Sequence, residues 1–599
     1  MKLRKKERRF LIYVLIFCIA ARILQSFPLD NSNLIGDSDF SFHFFRVWYI
    51  FQNGHTKWNS FWYAGFPFEL YSPFSHFLGS SLAIALGFLL SYKLIIDITF
   101  VLTPVAFLLF LREFELTPNQ IMVALLLFSL SPLYLYYQFD GRFPALMNVF
   151  FGLIYWKFLK RSIDRWDKKN FLITSLFFAI MILTSSLTAA IFIIVSAFWA
   201  LSYSPNLQTI IKFFKIGFLS FLFSSFWFVP FIFESFKVSA FSQVVGGVNV
   251  VGSTFERIIF IKPLSYYFAS DFSFIFVWIS LLVLILFSFF SVFLIGKKNV
   301  RSLIFSIISI VLLIIFFKYN RALIFLPIPL CVLAGYGSSL VKRFHLVIPL
   351  IVFLASVGFF SLSYQIFGFP ELPQISQDGR VLFLPTSIFV QSPKETRNLL
   401  EVFLSPLSGN PNILGWFPES QSQEKTVFNK LISEPLNSTQ SDYQNLLNEG
   451  WVHYIIVGKQ RQELVNYFNS SPDFSAINET NSYVLFSVNG NSSYLEVNSN
   501  QISPLVIERE DDKTLVNFTC APGKLLVKES FHPNIEGKIN GALIQLEKDQ
   551  LGFTTSNINY TGQCHLSLEF KEPLFYYPFY LLSPLVLISY VFVYFSKKK

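Results

Sequence analysis

Twelve apolar runs, parted by short polar or charged links, restrict this chain more severely than any other feature. They lie near residues 10–27, 94–111, 119–137, 143–159, 171–185, 187–203, 212–233, 272–296, 302–317, 322–341, 346–367 and 575–596. Runs of this length match the roughly 30 Å hydrocarbon core of a bilayer. Only helices or closed barrels satisfy their own backbone there, so the expected fold is a polytopic all-α membrane body of about twelve transmembrane helices. Composition agrees: of 599 residues 53% are hydrophobic and only 14% charged, about half the charged share of a soluble domain.

Charge then orients the body. Residues 1–367 hold 30 Lys and Arg against 14 Asp and Glu, whereas 368–596 hold 14 against 23. Six basic residues precede the first run, and the links 112–120, 157–169, 204–215, 297–301, 342–345 and 597–599 are mostly Lys/Arg-rich. The positive-inside rule places these links and both termini in the cytosol. The first run is read as an uncleaved anchor, since no small-residue cleavage site ends it. The loop 28–93, the links near 140 and 320, the loop 234–271 and the segment 368–574 then face outward. Pro73–Ser91 is also apolar, but counting it as a crossing would invert the charge rule, so it is read as an interfacial or re-entrant helix. Positive charge spent on membrane-surface loops leaves none for nucleic acid.

The chain thus divides into a membrane body, 1–367, an extracytosolic β-rich α+β domain, 368–574, and a final crossing with a basic tail, 575–599. Alternating runs at 381–384, 454–457, 483–487 and 525–528, set between Gly, Asn, Ser and Pro clusters, indicate strands, with helices near 394–404 and 439–449. Six N-x-Ser/Thr sequons, at Asn437, Asn469, Asn478, Asn491, Asn517 and Asn559, fall in this segment and suit an extracytosolic surface. Cys520 and Cys564 lie here too, and an oxidising compartment would allow them to pair.

Acids are so scarce in the body that topology shortens the search for chemistry. Asp37 and Asp39 open the first outer loop, and Asp39, His43 and Arg46 fall at i, i+4 and i+7, one face of a helix. Two carboxylates at i and i+2 can act as a general base and as oxygen ligands for Mg2+ or Mn2+; the same pair also suits a helix cap. The loop continues through His55, Trp58, Glu69, Tyr71 and His76, candidates for substrate binding. The histidine spacings of 12 and 21 fit no compact zinc pattern. Asp140 and Arg142 form a second charged turn at the outer membrane boundary, where charge is costly against lipid and suits a wet cavity. Lys318 and Arg321 form a third; a guanidinium there can clamp a phosphate or anchor to headgroups. Loop 234–271, with its glycines, is a candidate lid.

The basic start, the long first outer loop with Asp near its beginning, Trp58, Gly65–Pro67, Tyr71–Pro73 and the acidic turn at Asp140 resemble the type-C (GT-C) glycosyltransferases. Within that group the first loop is similar to the 6-pyruvoyl-tetrahydropterin-synthase-related membrane proteins. The likeness spans roughly residues 1–370, and Lys528–Asn534 resembles the β-rich outer domain of such proteins. It implies transfer of a sugar from a polyprenyl-phosphate carrier to a glycan, lipid or protein on the outer face. It also implies an acid in the first loop as base or metal ligand (Asp37 or Asp39), a second assisting acid (Asp140) and a late basic residue on the carrier phosphate (Arg321). No Trp-Trp-Asp motif stands in the outer domain, which argues against en bloc transfer to asparagine. Two other readings share these features. A non-catalytic scaffold or glycan-binding protein would keep the fold, and a lipid-linked solute transporter or flippase would place acids near the midplane and carry inverted repeats. The acids found cluster at outer helix ends instead.

Overall fold

The computed structural model describes residues 5–26, 33–34, 39–54, 58–59, 65–67, 70–139, 142–237, 274–294, 307, 324–338, 347–363, 367–368, 375, 379–384, 413, 428, 431–459, 461–481, 483–490, 492–510 and 512–596. Helices occupy the apolar runs: α1 (Lys5–Leu24), α2 (Asp39–Asn53), α3 (Phe74–Leu86), α4 (Phe88–Leu111), α5 (Pro118–Ser129), α6 (Pro132–Phe139), α7 (Phe143–Asp164), α8 (Lys168–Thr184), α9 (Ser186–Tyr203), α10 (Leu207–Lys237), α11 (Phe274–Leu294), α12 (Pro327–Gly337) and α13 (Val347–Ser363). A last helix, Tyr577–Ser596, closes the chain. Among the described residues three stretches are by themselves long and apolar enough to cross a membrane: Phe88–Leu111, Pro118–Leu135 and Leu207–Phe236. The run 302–317 and the helix expected at 394–404 lie almost entirely outside the described residues.

Local chemistry decides where helices break. Gly87, at φ 75°, ends α3 after 13 residues and opens α4, a left-handed turn that glycine adopts without Cβ strain. The apolar stretch 73–91 is therefore not one crossing helix. Run 119–137 is divided in the same way: Pro132 lacks an amide hydrogen to continue α5, and α6 begins there. Thr117 and Gln120 form a reciprocal capping box at the start of α5.

The body has two distinct rims, separated by the 22 residues of α7, about 33 Å at 1.5 Å per residue. At the C-terminal end of α7, Arg161 pairs with Glu113 at 2.8 Å, Lys160 with Asp164 at 2.8 Å, and Lys212 donates to the Ile163 carbonyl at 2.8 Å. Three basic links from distant parts of the chain meet there. At the other rim, Asn33–Leu34 pairs antiparallel with Phe367–Gly368, and Gln25 Nε2 donates to Ser356 Oγ at 2.9 Å. The exits of α1 and α13 are thus stitched together.

The region after residue 379 contains two cored units. In the first, a four-stranded sheet runs in the order Arg380–Leu384, Val452–Gly458, Tyr483–Val488, Phe474–Glu479, its first pair parallel, with helices Gln440–Glu449 and Gln462–Asn469. The second is built of two five-stranded antiparallel sheets. One is ordered Asn500–Ile502, Leu495–Val497, Gly523–Ser530, Phe553–Ile558, Glu547–Lys548; the other Val506–Glu510, Lys513–Cys520, Gly562–Phe570, Ile535–Ile539, Ala542–Ile544. A disulfide joins Cys520 to Cys564 across neighbouring strands of the latter.

Candidate active site

The segment after α1 folds back so that α2 and α3 pack beside the start of α7. α2 begins at Asp39, which sets Asp39 one helical turn before His43. His43 and Arg46 are buried on this helix, and His76 is buried on α3. Nδ1 of His43 lies 2.9 Å from Nε2 of His76, and Nδ1 of His76 lies 3.1 Å from the Ser72 carbonyl. A carbonyl only accepts, so neutral His76 carries its proton on Nδ1 and takes the proton of His43 Nδ1 on Nε2. Burial first, then the Arg46 guanidinium and His43, hold the His76 imidazole well below its usual range, which keeps it neutral. The helix that carries it, α3, has 13 residues, about 20 Å, too short to span the bilayer.

Aromatic rings wall this pair. Tyr71 stands 5.6 Å from His43 and 5.5 Å from His76, and the Arg46 guanidinium lies 5.2 Å from the Tyr71 ring and 5.8 Å from Phe42. Phe143, the first residue of α7, sets its edge against His43 at 4.9 Å and His76 at 6.0 Å. That contact brings the first outer loop to the α6–α7 turn, on one rim. Arg142 closes the turn by donating its N–H to the Tyr137 carbonyl at 3.1 Å, with its guanidinium 5.7 Å from the Tyr137 ring. Ser72 accepts the Ser186 N–H at 3.1 Å, which ties the loop to the α8–α9 break.

The structure therefore brings together His43, Arg46, Tyr71 and His76, with Arg142 on the neighbouring turn. Asp39 is placed by its backbone alone, and Asp37, His55, Glu69, Asp140, Lys318 and Arg321 lie outside the described residues. The expected Mg2+ or Mn2+ site on Asp37 and Asp39 falls on side chains outside them too; among the described residues no three His, Cys, Asp or Glu side chains gather as a metal site. Trp58 is turned to the outer domain: its N–H donates to Asp512 at 2.8 Å and its ring stacks on Phe570 at 5.5 Å.

Two polar clusters were not singled out from the sequence. Asp97 accepts from Gln138 Nε2 at 3.1 Å, just ahead of the Asp140 turn. Glu234 is fully buried against His532, Asn534 and Tyr576. Its signal was a carboxylate at the end of an apolar run.

This helical body with its β-rich domain shares its fold with solved structures of two other proteins. The cryo-EM structure of arabinofuranosyltransferase AftD from Mycobacteria superposes with a TM-score of 0.57 at 13% identity over 96% of this chain. The chain spans 57% of the length of AftD. The crystal structure of ArnT from Cupriavidus metallidurans bound to undecaprenyl phosphate gives a TM-score of 0.50 at 10% identity, over 80% of this chain and 98% of ArnT. No curated protein matches the sequence. Residues 68–358 match the family described as 6-pyruvoyl-tetrahydropterin synthase related domain, membrane protein.

Proposed function

We propose that this membrane protein transfers a sugar from a polyprenyl-phosphate donor to a glycan, lipid or protein acceptor on the outer face of the cell membrane. In this reading the body has twelve crossings, both termini are cytosolic and residues 368–574 are extracytosolic. The observation that supports it is the Phe143 contact with His43 and His76, which brings the helix that starts at Asp39 to the start of α7. The shared fold with AftD and with ArnT, the latter bound to undecaprenyl phosphate, supports the class of donor.

The chemistry follows from the groups present. Asp39 or Asp37 takes the proton of the acceptor hydroxyl as that oxygen bonds to the anomeric carbon, and Asp140 assists. The bond from that carbon to the carrier phosphate oxygen breaks, and the phosphate leaves with the bonding pair. Arg142, Lys318 and Arg321 stabilise the charge gathering there. Neutral His76 orients His43, while Arg46 holds Tyr71 and the loop in place. Asp37 and Asp39 are also assigned as oxygen donors to Mg2+ or Mn2+, which would add positive charge near the leaving phosphate.

The test is transfer of labelled sugar from a polyprenyl-phosphate donor by purified protein, with and without chelator. Asp37→Ala, Asp39→Ala and Asp140→Ala are compared with the parent. Full activity in all three variants would remove the catalytic assignment.

A further inference from the structure

The outer domain meets the membrane body at a buried carboxylate. Glu234, near the end of α10, is wholly inaccessible to solvent. Its Oε2 lies 3.0 Å from Nε2 of His532, and its Oε1 accepts from Asn534 Nδ2 at 2.9 Å and from the Tyr576 hydroxyl at 2.8 Å. His532 Nδ1 accepts the Asn534 backbone N–H at 3.1 Å, so a neutral ring holds its proton on Nε2, the nitrogen that lies beside Glu234. A buried carboxylate oxygen with two donors, Asn534 and Tyr576, is costly to break, because any donor left behind stays desolvated.

The fastening continues into the first outer loop. The His532 ring lies 5.9 Å from Trp58 and 5.2 Å from Phe570. Trp58 is held from both sides: its N–H goes to Asp512 Oδ1 at 2.8 Å and its carbonyl accepts the Tyr49 hydroxyl at 2.8 Å. A Cβ at Gly65, where φ is +110°, would sit 2.3 Å from the Trp58 ring, so the short hairpin of 58–59 with 66–67 grips the indole closely. Tyr49 belongs to α2, three residues after Arg46 and six after His43. A helix of 15 residues is marginal by itself in water, so its position depends on what holds its exposed end.

We propose that the outer domain is a positioning element for the active-site helix, acting through Glu234–His532, Asp512–Trp58 and Trp58–Tyr49 to fix α2 against the α6–α7 turn. The proposal rests on the reading of α2 as the carrier of the catalytic carboxylate. Asp512, Tyr49 and Glu234 are positioning residues: they hold the geometry on which a rate depends steeply, without touching the substrate.

Full-length protein in nanodiscs separates this idea from the proposed function. Amide hydrogen exchange over residues 42–53 is measured beside sugar transfer. Asp512→Ala, Tyr49→Phe and Glu234→Gln should each speed exchange in α2 by about tenfold or more, as expected when a buried hydrogen bond is lost. They should lower kcat by a similar factor with KM for the donor within about threefold, the mark of lost geometry rather than lost binding. Asp512→Asn keeps an acceptor for the Trp58 N–H and should restore both readouts. Exchange in α2 equal to the parent in all three variants would overturn the proposal. So would an Asp512→Asn protein as impaired as Asp512→Ala. If the Asp37, Asp39 and Asp140 variants retain transfer, the catalytic reading fails, yet the exchange measurement still decides whether the domain holds the helix.

Discussion

The two ends of α7 carry charge in opposite ways. At its C-terminal end Arg161, with 46% of its side chain exposed, meets Glu113 in a rim of basic links. At its N-terminal end Phe143 touches a histidine pair beside Arg46, which is 2% exposed and enclosed by aromatic rings. An exposed ion pair costs little to make or lose. A buried guanidinium and two buried imidazoles cost several kcal/mol in lost hydration, an arrangement that functional sites retain and packing alone does not require. The difference supports the proposed placing of chemistry at one rim: one end keeps its charges exposed, and the other withdraws polar groups from water among aromatic rings.

The largest test of that contrast is catalytic. Asp39→Ala or Asp140→Ala should reduce labelled-sugar transfer on the order of 10³-fold, the scale of a lost general base; an undiminished rate in both would make the two rims equivalent. Next comes stability. Arg46→Ala removes a desolvated cation from the faces of Tyr71 and Phe42 and should cost about 2 kcal/mol, seen as a lower melting midpoint in detergent.

A smaller effect is pH-dependent. Folded His76 is held neutral with its pKa lowered from 6.5, so below that value the unfolded chain binds a proton that the folded chain refuses. Stability is therefore complete above about pH 6.5 and falls as pH drops below it, by at most about 1.4 kcal/mol per unit. Melting between pH 7.5 and 5.5 should show this slope in the parent and a flatter one in His76→Gln. The smallest expected effect belongs to the opposite rim: Arg161→Ala should change stability by no more than about 0.5 kcal/mol and leave transfer unaltered. A large loss there would erase the contrast.

Much of this arrangement is legible in the residue order because it follows from local backbone geometry. The spacing of Asp39, His43 and Arg46 predicts one helical face, and α2 begins at Asp39 with His43 and Arg46 both buried. The strands expected at 381–384, 454–457, 483–487 and 525–528 all form, because alternation and turn residues act over a few positions. The bond from the Trp58 backbone N–H to Asp512 has no local signature, since the two stand 454 positions apart. The importance of Glu234 was equally invisible, as Asn534 lies 300 positions beyond it.

The sequence by itself determined the apolar helices, the charge asymmetry between the two halves of the chain, the helical face shared by His43 and Arg46, and the scarcity of acids in the helical body. Periodicity and hydropathy are properties of neighbouring residues, so they can be read without a partner. Only the tertiary structure decided that His43 meets His76, that Phe143 joins the first loop to the α6–α7 turn, and that Glu234 and Trp58 fasten the outer domain to the body. Closing loops of such length leaves no local pattern, because its entropic cost grows only slowly with separation; the choice among distant partners is made by packing.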